Sequence, residues 1–101
     1  MTIPHPPKRY LLKPSNQYER DIRRLVKAGA DLTKLDEVID LLVDGEKLPE
    51  RCRDHSLKGR LAGIRECHVA PDWLLLYAKD DMQLVLLLVR TGTHRDALGV
   101  E

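Results

Sequence analysis

Residues 84–89 form an unbroken run of leucine and valine, and this run limits the possible folds more than any other feature of the sequence. A strand that is apolar on both faces is typical of the interior of a sheet. We therefore predict a central strand over residues 82–90. The rest of the chain must supply its neighbouring strands and the layer that covers them.

Two amphipathic helices are predicted in the first half of the chain. Ser15 or Asn16 can cap the first helix, and Gly29 is the expected stop. Asp31 or Thr33 can cap the second helix. Apolar residues recur at helical spacing in both segments. The short link between them predicts an antiparallel hairpin of helices. The apolar residues are Tyr18, Ile22, Leu25 and Val26 in the first segment, and Leu32, Leu35, Val38, Ile39 and Leu42 in the second.

The predicted order of elements is strand, helix, helix, strand, strand, strand. The other strands are expected at residues 9–13, 64–69 and 73–79, with residues 48–62 as a polar loop. This pattern indicates an α+β fold in which the helical hairpin covers one face of a mainly antiparallel sheet. The other face stays at least partly open and can hold an extended ligand. We expect residues 1–8 to be a flexible tail and residues 9–101 to be a single domain.

Composition narrows the class of protein. The chain has 101 residues, 43% of them apolar and 33% charged, which is typical of one soluble globular domain and excludes a disordered chain. There is no signal-peptide core, and no apolar run approaches the roughly 20 residues that span a bilayer. Cys52 and Cys67 are therefore expected to be reduced in the cytoplasm. No membrane partner is expected.

Charge is distributed in blocks, although the formal net charge is only +1. Residues 1–30 carry seven basic and two acidic side chains, and residues 31–50 carry seven acidic and two basic ones. Residues 51–70 return to five basic against two acidic. Such blocks indicate either one surface for a polyanion and another turned away from it, or ordinary surface charge on amphipathic helices.

Three of the four histidines lie in the second half of the chain, near the ends of strands or in loops. They are His55, His68 and His94. Adjacent strands of a hairpin bring their ends together, so His68, Asp72 and the residues after Arg90 can share one edge of the sheet. Histidine both takes up and releases protons near neutrality, because its ordinary pKa is about 6.5.

Cleavage of RNA by transesterification needs those properties. A base takes the proton of the 2′-hydroxyl, an acid protonates the leaving 5′-oxygen, and a cation stabilises the charge on phosphorus. Two histidines, a carboxylate and an arginine meet these needs without a metal or other cofactor. The alternatives are plain surface histidines and a zinc site. Cys67 and His68 are neighbours on a predicted strand and point to opposite faces, so they do not easily serve one ion. Motifs of serine and cysteine nucleophiles and of phosphate-binding glycine loops are absent.

At these residues the chain resembles the RelE superfamily of toxin–antitoxin ribonucleases, and within it most closely the YafQ family. The resemblance spans roughly residues 9–99. It is carried by separated motifs in a fixed order, namely Asp54-His55, Leu57-Lys58-Gly59, Arg65, His68, Pro71-Asp72-Trp73, Tyr77 and Arg90-Thr91-Gly92-Thr93-His94.

The resemblance implies a RelE-like fold with an N-terminal strand and a two-helix antiparallel hairpin on one face of a four-stranded, mainly antiparallel sheet. It implies a toxin that enters the A site of the ribosome, beside 16S rRNA, and cleaves translated mRNA. It also implies a cognate antitoxin that wraps the toxin and represses transcription. No metal site and no cofactor belong to this expectation.

The resemblance also implies roles for individual residues. The catalytic set is His55, His68, Asp72 and His94. His94 is the expected general acid and His55 or Asp72 the base, while His68 orients the phosphate or a partner side chain. The RNA-binding set is Lys58, Arg65, Arg90 and Leu98. Strict alternation along the strand puts Arg65 on the face opposite His68, which weakens its case.

Two features depart from the family pattern. Leu98 occupies a position where the family has an aromatic residue that helps to place the substrate, and leucine packs on a base less well than an aromatic ring stacks. The net charge is also lower than is usual for these toxins. These departures leave open a binding module of the same fold with weak or no catalysis, which pairs with an antitoxin-like regulator. A ribosome-independent ribonuclease or a zinc-dependent hydrolase is a further alternative.

Overall fold

The computed structural model describes residues 9–93 of the chain. The tail predicted at residues 1–8 lies outside them. The elements follow in the order β1 (Leu11–Pro14), α1 (Asn16–Lys27), α2 (Thr33–Val43), β2 (His55–Ser56), β3 (Arg65–Ala70), β4 (Trp73–Asp80) and β5 (Val85–Gly92). Single turns of 3₁₀ helix at Glu50–Cys52 and Gly59–Leu61 flank β2. None of the helices within residues 9–93 has the length and apolar character to cross a bilayer.

One mixed sheet holds all the strands that the structure describes, in the order β1-β5-β4-β3-β2. β1 runs parallel to β5, and the other neighbouring pairs are antiparallel. β5 therefore has a strand on each side, which confirms the prediction of a central strand. The α+β class and the helical layer on the sheet are confirmed as well.

The sheet has five strands, whereas four were predicted. The extra strand, β2, has only two residues, His55 and Ser56, and lies inside the segment predicted as a loop. Both residues are exposed, so β2 has no alternation of apolar and polar side chains to reveal it. β5 also begins three residues later than predicted. The Asp80 carboxylate accepts hydrogen bonds from the N–H groups of Met82 and Gln83, which turns the chain before the strand starts.

Ser15 joins the first helix to the sheet. Its hydroxyl oxygen accepts a hydrogen bond from the N–H of Tyr18 and caps α1 as predicted. The same hydroxyl donates to the carbonyl oxygen of Val89 at 2.7 Å. At the next helix, the Asp31 carboxylate accepts from the N–H and hydroxyl of Thr33, the first residue of α2. Gly29 has a φ of +84°, which favours glycine at the end of α1.

The two faces of the sheet belong to different apolar clusters. The larger cluster joins the helices to one face and includes Tyr18, Leu35, Val38, Ile39 and Leu42 from the helices with Cys67, Leu75, Tyr77, Leu86 and Leu88 from the strands. On the other face, Leu74 and Leu76 pack with Leu57, Ile64 and Val89. No helical residue belongs to this second cluster within the described part of the chain. The helices therefore do not cover that face of the sheet.

A buried ion pair fastens α1 to the end of β5. Both carboxylate oxygens of Asp21 accept from the Arg90 guanidinium, at 3.1 and 3.2 Å, and the N–H of Thr91 donates to the same carboxylate at 3.1 Å. Burial alone would raise the pKa of Asp21, but hydrogen bonds from Arg90, Thr91 and Gln17 outweigh it and hold the pKa below its ordinary value of 3.8.

We predict that Asp21→Asn lowers the free energy of unfolding by about 3 kcal/mol at pH 7, because Arg90 loses its charged partner in a buried site. Asp21 has a lowered pKa in the folded chain. The stability it adds is therefore complete above the unfolded value of 3.8 and is lost as the pH falls through the lower folded value. Urea unfolding of both proteins between pH 7 and pH 2 checks this, and the difference between them should shrink in acid. Asp36→Asn, at an exposed position of α2, is the control; an equal effect of both substitutions would contradict the role of the pair.

Candidate active site

Strand register brings two of the predicted catalytic histidines together. His55 of β2 is paired with Glu66 of β3, and His68 is paired with Leu74 of β4. Directly paired residues point to the same face of a sheet, and residues two apart on a strand do so as well. Leu74 belongs to the apolar cluster that contains no helical residue. His55, Glu66 and His68 therefore lie on the sheet face that the helices do not cover.

Glu66 stands between the two imidazoles. Its Oε1 atom is 3.6 Å from Nε2 of His55 and 3.9 Å from Nε2 of His68. The Glu66 side chain is 7% exposed, that of His68 is 17% exposed and that of His55 is 51% exposed. Sequence reasoning missed Glu66 because a glutamate next to Arg65 reads as an ordinary solvated pair. The available signal was its spacing of two residues from His68 on a predicted strand.

His55 is held by the backbone that precedes it. Arg53 ends the 3₁₀ turn in a left-handed conformation, with φ +48°, and reverses the chain toward β2. Its carbonyl oxygen lies 2.6 Å from Nδ1 of His55. Because a carbonyl oxygen only accepts hydrogen bonds, Nδ1 carries the proton in this arrangement. Nε2 of the same ring faces the Glu66 carboxylate.

Asp54 forms a clamp on the opposite face. The Arg65 guanidinium donates to both of its carboxylate oxygens, at 3.2 and 3.3 Å, and the Tyr77 hydroxyl donates to one of them. Arg65 is also hydrogen-bonded to the Ser56 hydroxyl. Burial, followed by the hydrogen bond to Asp54, raises the pKa of Tyr77. Arg65 thus lies on the face of Tyr77 and not on that of His68, as strict alternation predicted.

The other predicted site residues lie at different places. Lys58 is exposed just before the turn at Gly59–Leu61. The Arg90 guanidinium is bound to Asp21. Asp72 lies in the turn between β3 and β4, at the end of the sheet where Leu74 is paired with Gly92, so it shares that end with the C-terminal end of β5. His94 and Leu98 are outside the described residues.

The described residues were also considered as a metal site. Among residues 9–93 no group of three or more His, Cys, Asp or Glu side chains is arranged to hold a metal ion. Cys52 and Cys67 are both buried in the larger core cluster, and burial raises the pKa of the Cys67 thiol. Cys67 therefore packs on the helical side of the sheet, away from the face that carries His68.

A cleft of about 350 Å³ runs from His68 toward the second helix. Lys34, Arg51 and Arg53 contribute basic side chains to its wall, and Glu37 is the acidic residue among those that line it. Val38 and Cys52 of the larger core cluster line it as well, so the cleft extends from His68 to the helical side of the sheet. The block of positive charge at residues 51–70 contributes two of the three basic side chains.

The chain is similar to proteins of known type over most of its length. A family model described as a bacterial toxin of type II toxin–antitoxin system, YafQ, matches residues 10–99. The mRNA interferase toxin YafQ of Escherichia coli strain K12 is 38% identical over 86 residues, which are 84% of this chain and 91% of that protein. A putative toxin YafQ of Haemophilus influenzae is 35% identical over 66 residues, 62% of this chain and 65% of that protein.

Solved structures agree with the fold. The crystal structure of YafQ from Escherichia coli strain BL21(DE3) superposes with a TM-score of 0.77 at 34% identity, covering 84% of this chain and 93% of that one. The Escherichia coli DinJ–YafQ toxin–antitoxin complex gives a TM-score of 0.77 at 37% identity, with coverage of 85% and 93%. A metal-bound toxin from Helicobacter pylori gives 0.80 at 38% identity, with coverage of 86% and 97%.

We predict that Tyr77→Phe lowers the free energy of unfolding by about 2 kcal/mol, because the Asp54 carboxylate loses a buried hydrogen bond while the packing of the ring is kept. Thermal or urea unfolding measures this. Tyr18→Phe is the matched control, since Tyr18 is a buried ring with no hydroxyl hydrogen bond to residues 9–93, and it should change stability by less than about 0.5 kcal/mol. Equal losses for the two variants would refute the clamp.

Proposed function

Because this chain belongs to the YafQ family of bacterial type II toxin–antitoxin toxins, we propose that it is an endoribonuclease that cleaves mRNA. The Escherichia coli relatives are named mRNA interferases, in agreement with the enzyme class predicted from the sequence. The observation that carries the proposal is the pair of imidazoles, His55 and His68, on the sheet face without helical cover. An extended strand of RNA fits an open face of this kind.

The proposed reaction is a transesterification within the RNA. A base removes the proton of a 2′-hydroxyl, and the 2′-oxygen forms a bond to the adjacent phosphorus. The bond from phosphorus to the 5′-oxygen breaks, and an acid gives that oxygen a proton. The products are a 2′,3′-cyclic phosphate and a free 5′-hydroxyl. No metal is required, because side chains handle both protons and the charge on phosphorus.

We assign the base to Asp72 and the acid to His94. The two ring nitrogens of His55 face a carbonyl and a carboxylate, both hydrogen-bond acceptors, which favours Asp72 over His55 as the base. His55 then has a supporting position beside the site, and His68 orients the phosphate or a partner side chain. Strand β5 ends at Gly92, at the end of the sheet that also holds Asp72, and His94 is two residues further along the sequence, which supports the proposal that it joins the same site.

The basic cleft beside His68 supports a path for the RNA backbone. Arg51, Arg53 and Lys34 line it, and phosphate groups bind such side chains. Lys58 adds an exposed positive charge near His55 in sequence. Arg65 and Arg90 contribute less direct charge, since each is paired with a carboxylate. Leu98 is the proposed contact for a base.

The cellular setting is proposed on the same grounds. We propose that the chain acts in the cytoplasm, on mRNA in the A site of the ribosome beside 16S rRNA, and that a cognate antitoxin binds and silences it. The DinJ–YafQ complex supports the antitoxin, since that toxin of Escherichia coli is 37% identical to this chain. Ribosome dependence rests on the resemblance alone.

Expression of the chain should stop growth and protein synthesis, and His94→Ala should restore both, because the 5′-oxygen then leaves without a proton donor. The expected loss of cleavage is about 10²–10⁴-fold. His5→Ala, at the histidine outside the proposed catalytic set, is the matched control and should remain toxic. Growth arrest by the His94→Ala protein at equal abundance would remove the proposed acid.

Primer extension on a translated mRNA should reveal defined cuts, and the same RNA without ribosomes should stay intact. Cuts in naked RNA would replace the ribosome-dependent reaction by a free ribonuclease, and loss of cleavage with a chelator would reveal a metal-dependent hydrolase. If neither the translated mRNA nor the naked RNA is cut while the chain still binds its antitoxin, the result would favour a binding module without catalysis, the alternative raised by Leu98.

A further inference from the structure

We propose that Arg65 is a positioning residue, whose guanidinium binds the residues on both sides of His55 and so holds that imidazole in place for RNA cleavage. This role rests on the proposed ribonuclease function and differs from the direct contact with RNA predicted from the sequence. Nε and one terminal nitrogen of Arg65 donate to the two carboxylate oxygens of Asp54, at 3.3 and 3.2 Å, and the other terminal nitrogen donates to the Ser56 hydroxyl at 2.8 Å. Asp54 directly precedes His55, and Ser56 directly follows it.

The backbone of β2 gives His55 little support of its own. The strand consists of His55 and Ser56, both exposed, and lies at the edge of the sheet with β3 as its neighbour. Segments that bury few apolar side chains open locally at a low free energy. The chain before β2 is also turned sharply, because Arg53 is in the left-handed conformation, and its carbonyl oxygen lies 2.6 Å from Nδ1 of His55. Bonds from Arg65 to both neighbours of His55 therefore restrain a segment that two backbone pairs alone would leave free to move.

The arginine side chain suits this task. Its guanidinium is planar and presents donors in fixed directions, so one side chain can bind a carboxylate through two nitrogens and a hydroxyl through the third. Arg65 is also the backbone partner of Ser56 in the pairing of β2 with β3. The Tyr77 hydroxyl donates to the Asp54 carboxylate from β4 but has no bond to the other side of His55. Lysine in place of Arg65 would keep the charge and lose this fixed set of donors.

Strand register separates this role from contact with RNA. Arg65 is paired with Tyr77, which belongs to the core cluster on the helical side, whereas His55 and Glu66 point to the face without helical cover. All three nitrogens of the guanidinium are bonded to side chains of this protein. An effect of Arg65 on RNA at the open face is therefore expected to pass through the position of His55, and a small displacement of a group in the site lowers the rate strongly.

The test compares two variants of the same clamp. Arg65→Lys keeps the charge and loses the planar donors, while Tyr77→Phe removes a hydrogen bond to Asp54 and leaves both bonds of Arg65 around His55. Arg9→Lys, at an arginine that forms an exposed pair with Asp44, is the control.

On translated mRNA we expect Arg65→Lys to lower kcat by about 10–100-fold, the loss expected when a group in the site moves by about 1 Å. KM and its dependence on salt should stay within about twofold, because Arg65 does not bind RNA in this proposal. Tyr77→Phe and Arg9→Lys should keep kcat within about twofold of the wild type at a temperature where each is folded. Ser56→Ala, at an exposed residue, removes one of the two supports and should give an intermediate kcat; it serves as the test if Arg65→Lys does not fold.

A second measurement needs no activity. Long-range ¹H–¹⁵N NMR at a fixed neutral pH reports the ring nitrogens of each histidine in the purified protein. Arg65→Lys and Ser56→Ala should change the signals of His55 and leave those of His5 in place. If the wild-type chain does not cleave RNA, the proposed function fails, and the His55 signals still decide the role of Arg65.

Three results would overturn the role of Arg65. The first is an unchanged His55 ring or an unchanged kcat in Arg65→Lys. The second is a raised KM with a weaker dependence on salt and the same kcat, which would return Arg65 to direct RNA binding. The third is an equal fall of kcat in Tyr77→Phe and Arg65→Lys, since general support of the fold would then explain both.

Discussion

The contact between Asp21 and the end of β5 is the constraint on which the rest of the arrangement depends. A single carboxylate binds the Arg90 side chain and the backbone N–H of Thr91, so it holds both a side chain and the backbone at the end of β5. The Thr91 hydroxyl in turn accepts from the Trp73 indole and donates to the Leu74 carbonyl. One buried charge therefore aligns α1, β4 and β5 at the C-terminal end of β5.

The division between the two sheet faces explains how such a small chain has both a core and a site. About 100 residues bury too little surface to spare many apolar side chains. The helices cover one face, where Leu75, Tyr77 and Leu86 are fully buried. The other face has a smaller apolar cluster around Leu74 and Leu76, and it carries His55, Glu66 and His68 on β2 and β3.

Elements with strong local signals were predictable from the sequence. The central strand, the Ser15 cap and the two helices follow from apolar period and capping chemistry. β2 was not predictable, because its two polar residues carry no strand pattern of their own and become a strand only by pairing with the edge of β3. Glu66 was missed for a related reason: its place in the site depends on His55, which lies 11 positions earlier in the sequence and is brought beside it by strand pairing. His55 and His68 were found through their chemistry and the family resemblance. Their shared face was not predicted, because His55 was placed in a loop and only strand pairing brings it beside β3.

Neighbouring residues at the start of β2 and within β3 point to opposite faces of the sheet. Asp54 and Arg65 close the clamp on the helical side, while the next residue of each, His55 and Glu66, points to the open face. Cys67 and His68 repeat the pattern, one in the core and one in the site. Because side chains alternate with a period of two, a slip of one residue in register would bury the histidines and expose the clamp. The clamp around Asp54 therefore stabilises the fold and also favours the register of β2 against β3 in which His55 and His68 both lie beside the Glu66 carboxylate.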